Sequence, residues 1–123
     1  MPPQPKLLIH AIKDVTVVNF VDRLIRDLPQ IEQIGEELFD LVDNRDRKKL
    51  VLDFSKVQGL SSQTLGILIT LQQKARNAKG DAVLCGVGAE LVRLFKIAGL
   101  QKLFKFCDNE EQALACFGVT SAG

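Results

Sequence analysis

The sequence predicts an α/β domain: a mixed sheet of about five strands, with an N-terminal hairpin followed by βαβαβα and four main helices. Three observations carry this. Short apolar runs such as LVLDF (Leu50 to Phe54) and AVLC (Ala82 to Cys85) are bounded by charge or glycine, as strands buried on both faces of a parallel sheet are. Around them lie stretches whose apolar residues recur at steps of three and four, the period of a helix with one buried face. Ahead of them, two β-type stretches, Leu7 to Lys13 and Val15 to Val21, are separated by Asp14 alone, which calls for a tight hairpin.

Residues 1–5 contain three prolines and are expected to form a loose arm before a single domain over residues 6–118. Within the hairpin, Val15, Val17, Val18 and Phe20 suit a strand. Pro29 suits the first turn of the first helix, which buries Ile31, Ile34, Leu38 and Leu41. Glu32, Gln33, Glu36, Glu37 and Asp40 take its other faces, and the polar run Asp43 to Lys49 closes it. After LVLDF, a loop from Ser55 to Leu60 leads to a second helix starting at Ser61 or Ser62. Its stripe is Leu65, Leu68, Leu71, Ala75 and Ala78, its outer face Gln72, Gln73, Arg76 and Lys79, and its stop Gly80. A third helix, Ala89 to Ala98, buries Leu91, Leu94, Phe95 and Ala98 and ends in a Schellman turn at Gly99-Leu100. The last strand covers Leu103 to Phe106. The last helix opens on a capping-box variant, Asp108 with Glu111, turns Ala113, Leu114 and Phe117 to the core, and stops at Gly118. Residues 119–123 are expected to form a tail.

Charge and composition narrow the function. Sixteen basic residues against fifteen acidic ones leave a net charge of +1, which gives no electrostatic case for nucleic acid or an anionic membrane surface. There is no run of about 18 apolar residues to span a bilayer. The opening MPPQPKLLIH lacks the apolar stretch of a signal peptide, so a cytoplasmic location is expected. Cys85, Cys107 and Cys116 lack any CxxC spacing and are read as small buried hydrophobes.

Catalytic chemistry finds little support. His10 is the sole histidine, sits in the first strand and is read as structural, so no metal site is assigned. G-x-S-x-G, GxGxxG and the P-loop motif are absent, and no cofactor is expected. Gly86-Val87-Gly88 reads as a tight strand-to-helix turn. Asp53, at a strand end without a partner carboxylate at a defined spacing, reads as a turn-directing or capping residue. Glu32, Glu36, Glu37 and Asp40 read as a solvated helix face. A hydrolase using Ser62 or Thr64 as nucleophile would need an activating base, and the chain offers only His10 or a lysine.

What remains is GLSSQTLG, Gly59 to Gly66, at the carboxyl end of a central strand, where open α/β sheets place functional loops. Ser61, Ser62 and Thr64 put three hydroxyls at a helix start. Serine is a preferred N-cap and needs no further purpose there. A phosphoserine at that position also gains from the exposed amides and the helix dipole, yet its charge of about −2 is costly inside a protein interface. One phosphate could therefore leave the fold intact and abolish a complex.

From Leu50 to Leu114 the sequence resembles the STAS-domain family, the anti-sigma factor antagonists of bacteria. LVLDF leads through SKVQGL into SSQTLGILITL, then LCGVGAELVRLFKIAGLQKLFKF and the acidic DNEEQAL. The family motif Asp-Ser-Ser-Gly-Leu-Gly corresponds to Ser61, Ser62, Gln63, Thr64, Leu65 and Gly66. Leu65 and Gly66 match; Ser61 replaces the aspartate and Thr64 the glycine, which would add bulk on the surface a partner approaches. The resemblance implies a non-enzymatic binding domain with Gly59, Leu60, Ser61, Ser62, Gln63 and Thr64 at the partner surface. The partner would be an anti-sigma factor that is also a serine kinase; ATP and magnesium would be the kinase's, not this chain's. The phosphoacceptor would be Ser62, with Ser61 and Thr64 as alternatives. Some STAS domains are instead constitutive subunits of lipid-transport complexes or stress-sensing particles, which the altered motif also fits.

Overall fold

The computed structural model describes residues 6–119; the expected arm, residues 1–5, and residues 120–123 of the expected tail lie outside the described residues. Strands β1 (Leu7–Ile12) and β2 (Val15–Phe20) form the expected antiparallel hairpin, with Leu7 opposite Phe20 and Ile12 opposite Val15. Next come β3 (Leu24–Ile25), α1 (Leu28–Asp43), β4 (Lys49–Asp53), β5 (Gly59–Leu60) and α2 (Ser62–Asn77). The chain continues through β6 (Asp81–Cys85), α3 (Ala89–Ile97), β7 (Lys105–Cys107) and α4 (Glu110–Ala115). The main sheet has five strands in the order β1-β2-β4-β6-β7, antiparallel only at the hairpin.

Successive strand residues point to opposite faces, so the register sorts the apolar side chains into two cores. Val18, Phe20, Leu50, Leu52, Ala82 and Leu84 lie beneath the helix residues Ile34, Leu38, Leu68, Leu71, Leu91 and Phe95. Val15, Val17, Val51, Val83 and Cys85 face Ala113 and Leu114 of α4. Phe20 and Phe54 stack at 4.5 Å between ring centroids, joining the hairpin to the end of β4.

Several local expectations give way to tertiary packing. Gln72, placed by the sequence on the outer face of α2, is buried. Its Nε2 donates to Asp81 Oδ1 at 2.8 Å and to the Leu103 carbonyl at 2.9 Å, and its Oε1 accepts from Ala82 N at 2.8 Å. This amide stitches α2 to β6 and to the turn before β7. The left-handed residue after α2 is Lys79, at φ 70°, rather than Gly80. Gly80 is required for another reason: a Cβ there would stand 2.1 Å from the Lys48 carbonyl oxygen.

The Schellman turn after α3 forms as expected, with Gly99 at φ 74° and Leu100 N donating to Phe95 O at 2.8 Å. Leu94 is half-buried, and Ala98, the C-cap residue just past the end of α3 at Ile97, is exposed. That turn runs on to Leu103, so β7 begins at Lys105 rather than Leu103. The cap of α4 also shifts by one residue. Asn109 Oδ1 accepts from Gln112 N at 2.9 Å, while Gln112 Oε1 accepts from Asp108 N at 3.0 Å. Asp108 and Glu111 therefore do not form the box, and Glu110 is free for other contacts. Val119 folds back beyond Gly118, donating its N–H to Leu114 O at 3.1 Å, and its side chain is buried.

Candidate partner-docking site at the start of the second helix

The loop between β4 and α2 is held by a small parallel pair that local pattern does not reveal. β3 runs beside β5, with Leu24 opposite Gly59 and Ile25 opposite Leu60. The Arg23 carbonyl accepts from Gln58 N at 2.7 Å and from Gly59 N at 3.2 Å, and Arg23 Nη2 donates to Gln58 Oε1 at 3.2 Å. Ser61 N then donates to the Ile25 carbonyl at 3.1 Å. The first residues of α2 are thus delivered to the surface on a fixed backbone.

This geometry sorts the three hydroxyls. Ser61 is the N-cap, in extended conformation, and its Oγ accepts from Thr64 N at 3.3 Å. Thr64 is buried: its Oγ1 lies 3.1 Å from Ser61 Oγ and donates to Ile25 O at 3.2 Å. The bulk that Thr64 adds in place of glycine therefore points inward, not onto the approach surface. Ser62, at the first helical position, is exposed and makes none of the bonds that hold its two neighbours. Gln63 and Gly66 are exposed beside it, while Gly59 and Leu60 are half-buried. One flank carries Leu24, 45% exposed, on the strand that pairs with Gly59. The other opens, past Gln58, into a groove of about 420 Å³ lined by Ser55, Val57, Gly86, Glu90 and Leu91 among others.

A second polar cluster sits on the opposite side of the sheet. The register aligns Asn19, Asp53, Cys85 and Cys107 in one row across four strands, beneath α4. Asp53 Oδ1 accepts from Ser55 N at 2.8 Å, the turn-directing role read from the sequence. Asp53 also has the carboxyl partner that sequence reading missed: Glu110. Asn19 Nδ2 bridges the two, donating to Asp53 Oδ2 at 3.1 Å and to Glu110 Oε2 at 2.8 Å. Burial works against the Asp53 charge, but hydrogen bonds from Glu110, Ser55 and Asn19 together outweigh it and hold its carboxyl below the usual aspartate value. Glu110 is pushed up, first by sharing its proton with Asp53 and then by burial. Burial, reinforced by the Asp53 charge, pushes the Cys85 thiol up to about 12. Among the described residues no three such side chains converge to hold a metal ion.

The cysteines divide. Cys85 is buried as expected, Cys107 is half-buried, and Cys116, the residue that caps the end of α4, is exposed. His10 is exposed on edge strand β1, paired with Val17, whose side chain faces α4; Ser62 opens a helix that packs on the other face. No nucleophile–base pair arises between them. Glu32 and Glu36 lie exposed on α1, and Asp40 is engaged by Asn44 and Arg45 of the same segment. No helix among the described residues is long and apolar enough to cross a membrane.

Residues 8–113 match the STAS domain family. The chain belongs to that family. Among its STAS relatives, BtrV of Bordetella bronchiseptica, named as an anti-sigma factor antagonist, is 30% identical over 86 residues, covering 70% of this chain and 73% of that protein. A STAS domain protein from Planctomyces limnophilus superposes with a TM-score of 0.83 at 17% identity, covering 92% of this chain and 98% of that one. Bacillus SpoIIAA in its phosphorylated form gives 0.71 at 13% identity, covering 90% and 98%. The STAS fold implied by the motif resemblance is thus the fold of this chain.

Proposed function

We propose that this STAS domain is a non-enzymatic anti-sigma factor antagonist. In its unphosphorylated form it binds a serine-kinase-type anti-sigma factor through the surface running from Gly59 to Thr64, and phosphorylation of Ser62 ends the complex. The observation that carries this reading is the division of labour at the start of α2. Ser61 is spent as the cap, Thr64 is buried on Ile25, and Ser62 alone of the three presents a free hydroxyl to an approaching active site. A phosphate there would meet the unpaired amides of the first turn and the positive end of a sixteen-residue helix, so the fold would carry it without strain. The same charge would be unpaired and desolvated in a tight interface, which favours release. BtrV, named as an anti-sigma factor antagonist, supports the role, and a structural neighbour solved in a phosphorylated form supports the chemistry.

The test is incubation with a candidate anti-sigma kinase, ATP and magnesium, followed by mass spectrometry and a binding assay. The expected result is a complex before phosphorylation, one phosphate on Ser62, and loss of the complex afterwards. No complex, together with no phosphate between Gly59 and Gly66, would sink the proposal. A partner that still binds Ser62→Asp would instead mark a constitutive subunit of a larger assembly.

A further inference from the structure

We propose that Cys107 and Cys116 are a thiol pair that closes to a reversible intramolecular disulfide, tying the end of α4 to edge strand β7. Their Sγ atoms lie 3.7 Å apart, in contact but unbonded. A disulfide needs about 2.0 Å, so the two sulfurs have a further ~1.7 Å to approach from their 3.7 Å contact. The pair is asymmetric in a way that suits stepwise oxidation. Cys116 is exposed just past α4, whereas Cys107 is half-buried in β7. Cys85, next to Cys107 on the neighbouring strand, is buried and shielded from reagents.

The oxidant is a two-electron peroxide. The Cys116 sulfur attacks one oxygen of hydrogen peroxide, the O–O bond breaks, and the departing hydroxide takes up the thiol proton as water, leaving a sulfenic acid. Cys107 then loses its proton as its sulfur attacks Cys116 Sγ. The S–O bond breaks and the hydroxide leaves with that proton as a second water. Two thiols are oxidised to one disulfide and one peroxide is reduced to two waters. The order follows from the environments: burial and the hydrogen bond with Cys116 push the Cys107 thiol up to about 11, so it holds few thiolates to meet peroxide in bulk. Once Cys116 is a sulfenic acid, Cys107 is the thiol already against it.

The intact chain, treated with hydrogen peroxide and digested with trypsin without reduction, tests this. Residues 106–123 form one tryptic peptide holding both cysteines, and Cys85 falls in another, residues 80–93. The expected product is the first peptide lighter by two hydrogens, resistant to iodoacetamide and restored by dithiothreitol, with Cys85 still alkylatable after denaturation. Cys107→Ser should stop at a sulfenic acid on Cys116, and Cys116→Ser should leave Cys107 reduced. Sulfinic acid accumulating on Cys116 beside a free Cys107, or a bond joining two chains through Cys116, would overturn the proposal.

Discussion

The hydroxyls of Ser61 and Thr64 lie 3.1 Å apart and face each other across the first turn of α2. Thr64 has one hydroxyl proton and gives it to the Ile25 carbonyl, so the Ser61 hydroxyl is the donor between them while its oxygen also receives Thr64 N. Ser61→Ala therefore removes a cap and should cost about 1 kcal/mol. Thr64→Val keeps the shape, loses the bond to Ile25, and should cost about 1 kcal/mol. Because the two share a contact, urea denaturation of the double variant should show a loss smaller than the sum. Additive losses would mean that the hydroxyls do not act on each other.

Ser62 separates stability from binding. The first turn of α2 holds no acidic residue, and Ser62 is exposed at its start. Ser62→Asp should raise stability by about 0.3–1 kcal/mol at low salt through the helix dipole, and this gain should fade as salt is added. Ser62→Ala should stay within about 0.5 kcal/mol of the parent chain. If the docking surface is as proposed, the more stable Asp variant is the one that loses its partner, and the Ala variant keeps it. Denaturation and binding measured on the same samples check both halves.

The parts of this fold that were legible in the sequence are those written in local periodicity. LVLDF, the stripe of α1 and the turn at Gly99-Leu100 each depend on residues within a few positions of one another, and each formed as read. The helix start that carries the proposed site was legible for the same reason: a serine cap followed by a helical stripe marks the start of α2. Which hydroxyl is free was not, because the acceptor that buries Thr64 is Ile25, 39 residues earlier. The strands β3 and β5, two residues each, carry no periodic signal and exist only through each other. Gln72 read as surface because it is polar, yet its partners arrive from β6 and the turn before β7. Asp53 read as solitary because Glu110 reaches it from another element altogether.

Gln72 offers a test of how much a buried amide contributes. Gln72→Leu conserves volume closely but leaves the Leu103 carbonyl to Arg76 alone and removes the acceptor for Ala82 N, which retains Asp81. Leaving such buried groups under-satisfied costs about 1–3 kcal/mol, so the midpoint of chemical denaturation should fall without a change in slope. Exchange of the Ala82 amide hydrogen should also speed up relative to its neighbours in β6. A variant as stable as the parent would show that leucine packing offsets the lost bonds.

The Asp53–Glu110 pair predicts a defined pH response. Asp53 is held below its ordinary value in the fold, so its contribution is present above the unfolded value and disappears as pH falls through the folded one. Glu110 is raised, so its contribution is present below its unfolded value and disappears as pH rises through the folded one. The pair is thus most stabilising with one shared proton, and above the raised Glu110 value two carboxylates crowd the Asn19 amide. Glu110→Gln can still accept from Asn19 and donate to Asp53, but adds no second charge. It should be more stable than the parent above the raised Glu110 value, and the gap should close as the pH is lowered through that value. Thermal denaturation from pH 4 to 8 reads this directly. A gap that widens toward acid would mean that Glu110 stabilises the fold as a carboxylate, and that the proton sits elsewhere.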